Sequence, residues 1–152
     1  MAAGQLSLKG RALRLLSQRE HSRLELERKL AGHEEEPGQL RRVLDELQAK
    51  DFISEERVLE SVLHRRAARL GAGRIRQELQ QKGLDPERVA EAMEQLKGTE
   101  LERARSVWRR KFDAPPADAA QRARQARFLA ARGFGGEVIR KVLAGGAGED
   151  EF

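Results

Sequence analysis

The sequence predicts an all-α fold: three tandem three-helix modules forming an elongated, curved array. Three observations carry that expectation. Ala, Leu, Arg, Glu and Gln dominate the composition, all good helix formers, while β-branched residues are sparse and no segment reads as a strand. Capping residues, glycines and prolines punctuate the chain at helix-length intervals. A hinge also repeats. Leu79-Gln-Gln-Lys-Gly83 leads to Val89, and Leu129-Ala-Ala-Arg-Gly133 leads to Ile139, with the two leucines 50 residues apart. A looser copy lies 49 residues upstream of the first, where Leu30 precedes Gly32. Such a period marks helical units that cannot bury their apolar faces alone.

The first module is expected over residues 1–53. Residues 9–18 read as a helix, with Ala12, Leu13 and Leu16 at helical spacing. Ser22-Arg-Leu-Glu25 is a capping-box pattern opening a second helix, which buries Leu26 and Leu30 and stops at Gly32. His33-Glu-Glu-Glu-Pro-Gly38 is a polar linker, and Pro37 is expected in the first turn of a third helix carrying Leu40, Val43, Leu44 and Leu47.

The second module is expected over residues 54–98. Ser54 is an N-cap, and Glu55 and Glu56 follow it at the positive end of the helix dipole. This helix is expected to reach about Leu70, with Val58, Leu59, Val62 and Leu63 as its apolar stripe, and to be broken by Gly71 and Gly73. The next helix buries Ile75 and Leu79 and ends at Gly83 as a left-handed residue. Asp85-Pro86-Glu87 then supplies a cap, a first-turn proline and a first-turn acid for a helix burying Val89, Met93 and Leu96.

The third module is expected over residues 99–144. Thr99-Glu-Leu-Glu102 has the capping-box pattern, and Leu101, Ala104, Val107, Trp108 and Phe112 form a stripe that Pro115-Pro116 ends. Trp108 and Phe112 follow this stripe and so read as core, not as exposed base-stacking platforms. Residues 118–132 form an Ala- and Arg-rich helix, and a short last helix buries Val138, Ile139, Val142 and Leu143. Residues 145–152 read as a flexible acidic tail.

Bulk properties narrow the function. Charged residues make up 36% of the 152 positions and aromatics 4%, which suits thin cores behind many solvated helix faces. There is no cysteine, hence no disulfide framework and no thiolate metal site. No apolar run has transmembrane length and the first ten residues lack a signal-peptide core, so a cytoplasmic location is expected. His21, His33 and His64 lack ligand spacing, and no Walker-type loop is present. Gly71-Ala-Gly73 could cradle a phosphate, but it joins two helices and reads more simply as a break. No enzyme chemistry, metal or cofactor is expected.

Charge is more informative. The net charge is +5, and between Arg103 and Lys141 eleven basic residues face only Asp113, Asp118 and Glu137. Three basic sets stand out: Arg65, Arg66, Arg69, Arg74 and Arg76; then Arg109, Arg110 and Lys111; then Arg122, Arg124, Arg127 and Arg132. Guanidinium binds phosphate and carboxylate through paired hydrogen bonds, so a polyanion or acidic protein is the expected partner. Part of each set is expected to be structural, offsetting helix dipoles at C-termini.

Several stretches resemble the RecX family of bacterial recombination regulators. Gly10-Arg-Ala-Leu-Arg-Leu-Leu-Ser-Gln-Arg-Glu-His-Ser22 resembles the family's first module, and Asp51-Phe-Ile-Ser-Glu-Glu-Arg57 the entry to its second. Leu70-Gly-Ala-Gly-Arg-Ile-Arg-Gln-Glu-Leu-Gln-Gln-Lys-Gly-Leu84 is similar to its most characteristic stretch, and Leu129-Ala-Ala-Arg-Gly-Phe134 to its closing motif. The family commonly has Gly where Asp51 stands and an aromatic where Val58 stands. The resemblance implies a protein that binds the RecA filament on single-stranded DNA and suppresses its ATPase, strand-exchange and co-protease activities, within recombination, repair and the SOS response. From the charge pattern, the twelve basic residues above are the expected binding surface, with weak direct DNA contact, on a protein expected to be a monomer. The alternative reading is a helical protein that binds DNA directly, without RecA.

Overall fold

The computed structural model describes residues 5–145; the acidic tail expected over 145–152 lies, beyond its first residue, outside the described residues. Within them the protein contains nine α-helices and no strand. Three apolar clusters follow one another along the chain, each closed by three helices.

Helices α1 (Leu8–Gln18), α2 (Arg23–Leu30) and α3 (Gln39–Ala49) enclose the first cluster, with Leu26, Leu44 and Leu47 fully buried. The capping box at α2 forms: the Ser22 hydroxyl accepts from the Glu25 N–H, and the Ser22 N–H donates to the Glu25 carboxylate at 2.8 Å. Two local expectations fail here. Helix α2 runs into one 3₁₀ turn, Ala31–His33, so the looser hinge at Gly32 does not share the geometry of its counterparts. Pro37 lies ahead of α3, in a turn closed by the Gln39 N–H on the Glu36 carbonyl at 3.1 Å. Proline at the second position and Gly38 at φ +87 at the third match a type II turn.

Helices α4 (Glu55–Arg66), α5 (Ala72–Gln81) and α6 (Pro86–Lys97) build the second cluster around Val58, Val62, Ile75, Leu79, Val89 and Met93. Helix α4 ends at Arg66, short of the expected Leu70. The Arg69 and Leu70 N–H groups both return to the Arg66 carbonyl at 2.9 Å, so the chain turns there, and Arg103 from the third module donates to the carbonyls of Ala67 and Leu70 at 2.9 and 2.7 Å. Gly71 and Gly73 are not helix breakers. Gly71 is the N-cap of α5 and Gly73 lies in its first turn.

Helices α7 (Glu100–Lys111), α8 (Ala119–Ala131) and α9 (Gly136–Leu143) enclose the third cluster. The expected capping box at Thr99 is absent. The Thr99 hydroxyl turns back to donate to the Leu96 carbonyl at 3.3 Å and accepts from Arg103 Nε at 3.1 Å. Helix α7 stops at Lys111, before Pro115-Pro116 is reached. Trp108 packs against the core, as its place in the stripe predicts, and donates to the buried Gln125 at 2.8 Å.

The two strict hinges close identically. The N–H of Leu84 returns to Leu79 and that of Gly83 to Gln80; the N–H of Phe134 returns to Leu129 and that of Gly133 to Ala130. Both are Schellman ends with a left-handed glycine, at φ +75 and +93. The end of α3 has the same bonds, Phe52 to Leu47 and Asp51 to Gln48, with Asp51 at φ +67 in the glycine position. A left-handed backbone of this kind is one that glycine adopts at no steric cost.

Candidate functional site: a basic cleft shared by three modules

The cleft is built at helix ends. The first turn of an α-helix has unpaired N–H groups and the last turn unpaired carbonyls. Here the start of α5 and the end of α8 satisfy each other. Gly71 N–H donates to the Arg132 carbonyl at 2.7 Å, Gly73 N–H to the Gly133 carbonyl at 3.0 Å, and Arg74 Nη1 to the Ala131 carbonyl at 2.7 Å. A Cβ on Gly71 would sit 2.5 Å from the Gly133 carbonyl carbon, so this approach requires glycine. The glycine N–H groups that could have cradled a phosphate are therefore occupied by backbone.

This crossing fixes Arg74 and Arg132 side by side on one wall of a cleft of about 950 Å³. Glu25 and Arg28 from the first module, Arg66, Arg69, Gln77, Glu78, Gln81 and Lys82 from the second, and Ala131 and Arg132 from the third line it. Six cations thus face two carboxylates. A smaller hollow of about 270 Å³, lined by Arg69, Val107, Arg110, Lys111, Phe128 and Arg132, adjoins it, sharing Arg69 and Arg132.

The internal pairing decides which cations remain open to a partner. Arg66 Nε donates to Glu78 at 3.1 Å, with Arg65 and Lys82 each 3.9 Å from the same side chain. Lys82 also pairs with Glu25 at 3.1 Å, and Arg28 donates to the Gln81 carbonyl at 3.3 Å. The Arg132 guanidinium stacks 3.8 Å from the Phe128 ring centroid. Among the described residues, exposed Arg69 has no hydrogen-bond or ion-pair partner for its guanidinium.

Burial alone would raise the Glu25 carboxyl. Hydrogen bonds from Arg19, the Ser22 N–H and Lys82 overcome that and hold its pKa down to about 2. Burial pushes the His21 imidazole below its ordinary value, and the charges of Arg19 and Lys29 add to that; its hydrogen bond to the Arg19 carbonyl opposes it. Lys29 can only donate to Nε2, so Nδ1 holds the proton and donates to that carbonyl. His21 is a satisfied core histidine, and no cluster of metal-binding side chains occurs among the described residues.

Of the sequence-predicted residues, Arg66, Arg69, Arg74 and Arg132 converge in the cleft, and Arg110 and Lys111 join through the adjoining hollow. Arg65 stands at the rim through Glu78. Arg76, Arg122, Arg124 and Arg127 are exposed outside these hollows, and Arg109 borders a third one beside Trp108 and Pro115. Sequence reasoning missed Arg28, Lys82 and Arg103. The repeat held the signal for Lys82, which stands 50 residues before Arg132, immediately ahead of the hinge glycine. No local signal marks Arg28 or Arg103, whose roles depend on contacts between modules.

Fold and cleft define a modular, all-helical protein with a basic cleft to which all three modules contribute. Family models described as the first, second and third three-helix domains of RecX match residues 9–47, 54–93 and 99–143. The chain belongs to the RecX family. It is 58% identical over 139 residues to the "Regulatory protein RecX" of Leptothrix cholodnii, covering 91% of this chain and 88% of that one. It is 48% identical over 140 residues to the protein of the same name from Ralstonia nicotianae, covering 92% and 88%. The crystal structure of RecX from Lactobacillus salivarius has the same fold, with a TM-score of 0.71 at 20% identity over 90% of this chain and 92% of that one. No helix among the described residues is long and apolar enough to cross a membrane.

Proposed function

We propose that this protein regulates RecA by binding the RecA–DNA filament and suppressing its ATPase, strand-exchange and co-protease activities, without chemistry of its own. One observation carries the reading: all three modules contribute to a single basic cleft. A surface spread over three units engages several weak contacts at once, and linked contacts raise avidity far above that of any one. Family membership supplies the regulatory role; the cleft supplies a place for acidic filament surface to dock. Titrating the protein into a single-strand-dependent RecA ATPase assay tests this. Inhibition well below one molecule per RecA protomer is expected, and no effect at a one-to-one ratio refutes it.

The exposed arginines outside the cleft favour an auxiliary reading. Arg76, Arg122, Arg124 and Arg127 are solvent-facing and have no partner among the described residues, as suits direct contact with DNA phosphates. Affinity for bare DNA that falls steeply with salt is expected. Tight binding retained at physiological salt would make DNA, not RecA, the principal target.

A further inference from the structure

The two joints of the array differ in their chemistry. Between the second and third modules, two backbone hydrogen bonds cross directly, from Gly71 and Gly73 to Arg132 and Gly133. Arg103 reinforces them by reaching two carbonyls of the α4–α5 turn. Backbone pairs at glycine-tight approach cannot slide or rotate without being lost.

Between the first and second modules no backbone–backbone hydrogen bond crosses among the described residues, apart from the connecting chain itself. Long side chains hold this joint instead. Arg57 Nε reaches Glu20 at 3.0 Å, Lys82 reaches Glu25 at 3.1 Å, and Arg28 reaches the Gln81 carbonyl at 3.3 Å. The apolar contribution includes Leu24 against Gly83. Arg and Lys side chains have several rotatable bonds, so such pairs lengthen and re-form as the bodies turn. The chain between the modules passes through Asp51, the one non-glycine residue with a left-handed backbone among the described residues, clamped by Arg57 at its carboxylate and carbonyl.

We propose that the protein moves as two bodies: the second and third modules as one rigid unit, and the first as a jaw pivoting near Asp51. The jaw carries Glu25 and Arg28, while Arg69, Arg74 and Arg132 stay on the rigid wall. Pivoting therefore changes the width of the cleft without disturbing that wall. This inference rests on the joints alone and stands whether or not RecA is the partner.

The chain has no cysteine, so paired spin labels can be placed at will. Gln18→Cys with Glu91→Cys spans the first joint, and Glu91→Cys with Ala123→Cys spans the second; all three positions are exposed. Pulsed electron-resonance distances are expected to be broadly distributed across the first joint and narrow across the second. Combining Arg57→Gln with Lys82→Gln is expected to broaden the first distribution further and leave the second unchanged, at unaltered helical content. Equal widths in the parent protein would overturn the inference, as would a first distribution unmoved by the double substitution.

Discussion

Replacing Gly133 with alanine adds one methyl group where two helix ends meet by backbone alone. The new Cβ would overlap the Arg74 backbone nitrogen and approach the Arg74 Cβ at 2.8 Å. The residue also sits at φ +93, where a side chain is strained by about 1 kcal/mol. Relieving the overlap means separating α5 from α8, which forfeits the Gly71 and Gly73 hydrogen bonds at about 1 kcal/mol each. The expected loss is therefore about 3 kcal/mol. Trp108 is the only tryptophan and lies in the third module, so its fluorescence in urea reports this joint. With a denaturant slope of about 2 kcal/mol per molar, the unfolding midpoint should fall by roughly 1.5 M. Gly136→Ala is the control. That glycine lies in the first turn of α9 with nothing within 4 Å of its notional Cβ, and alanine there should stabilise by about 0.5 kcal/mol or more. A Gly133→Ala midpoint no lower than that of the parent would refute the clasp.

The remaining predictions concern pH, one buried amide and one free cation. His21 has a lowered folded pKa, so its contribution is complete above 6.5 and is lost as pH falls below that value. Glu25, held at about 2 against an ordinary 4.5, contributes fully above 4.5 and loses its contribution as pH falls toward about 2. With its side chain 15% exposed, the second effect amounts to at most about 3 kcal/mol. Urea midpoints should therefore decline in two pH steps, and Glu25→Gln should shrink the more acidic one, to which Glu46, held down by Lys9 and Lys50, also contributes. Trp108→Phe keeps an aromatic ring but leaves Gln125 Oε1 without its donor, which should cost about 1–3 kcal/mol in thermal melts followed by circular dichroism. Arg69→Glu disrupts no internal pair, so it should weaken RecA ATPase inhibition about tenfold at unchanged helicity, with Arg122→Glu affecting inhibition less.

What the sequence could show follows the range of the interactions involved. Ser22 capping α2, Asp85 with Pro86 opening α6, and glycine closing α5 and α8 are decided within four or five residues, and each appears where the sequence places it. Expectations failed where a distant group competed. Thr99 has a capping-box neighbour in sequence, but its hydroxyl is taken by Leu96 and Arg103. Helix α4 has residues able to continue, but the Gly71 N–H that would reach back to the Ala67 carbonyl goes to Arg132, and Arg103 takes that carbonyl instead. Gly71 and Gly73 look like breakers because the backbone they admit lies some sixty residues away. The same limit applies to the cleft. The arginine sets were visible, whereas their sorting into cleft wall, internal pairs and outer surface depends on Glu78, Phe128 and Ala131.

The repeat also explains how the cleft acquires its charge. A cation ahead of a left-handed glycine sits at the C-terminal end of a helix, where it offsets the dipole and is favoured for reasons unrelated to any partner. Lys82 and Arg132 hold that position in the two strict hinges, and both line the same cleft. Hinge chemistry thus places one cation from each of the second and third modules in the cleft before any binding role arises. The pair then diverges. Lys82, with its side chain 13% exposed, is committed to Glu25 and Glu78 and holds the first joint. Arg132 stacks on Phe128 and donates Nη1 to the Phe128 carbonyl at 3.5 Å, which fixes its plane and uses one of its five N–H donors. Equivalent positions of one repeat therefore differ in their contacts: Lys82 is bound within the first joint, and Arg132 is held on an aromatic face.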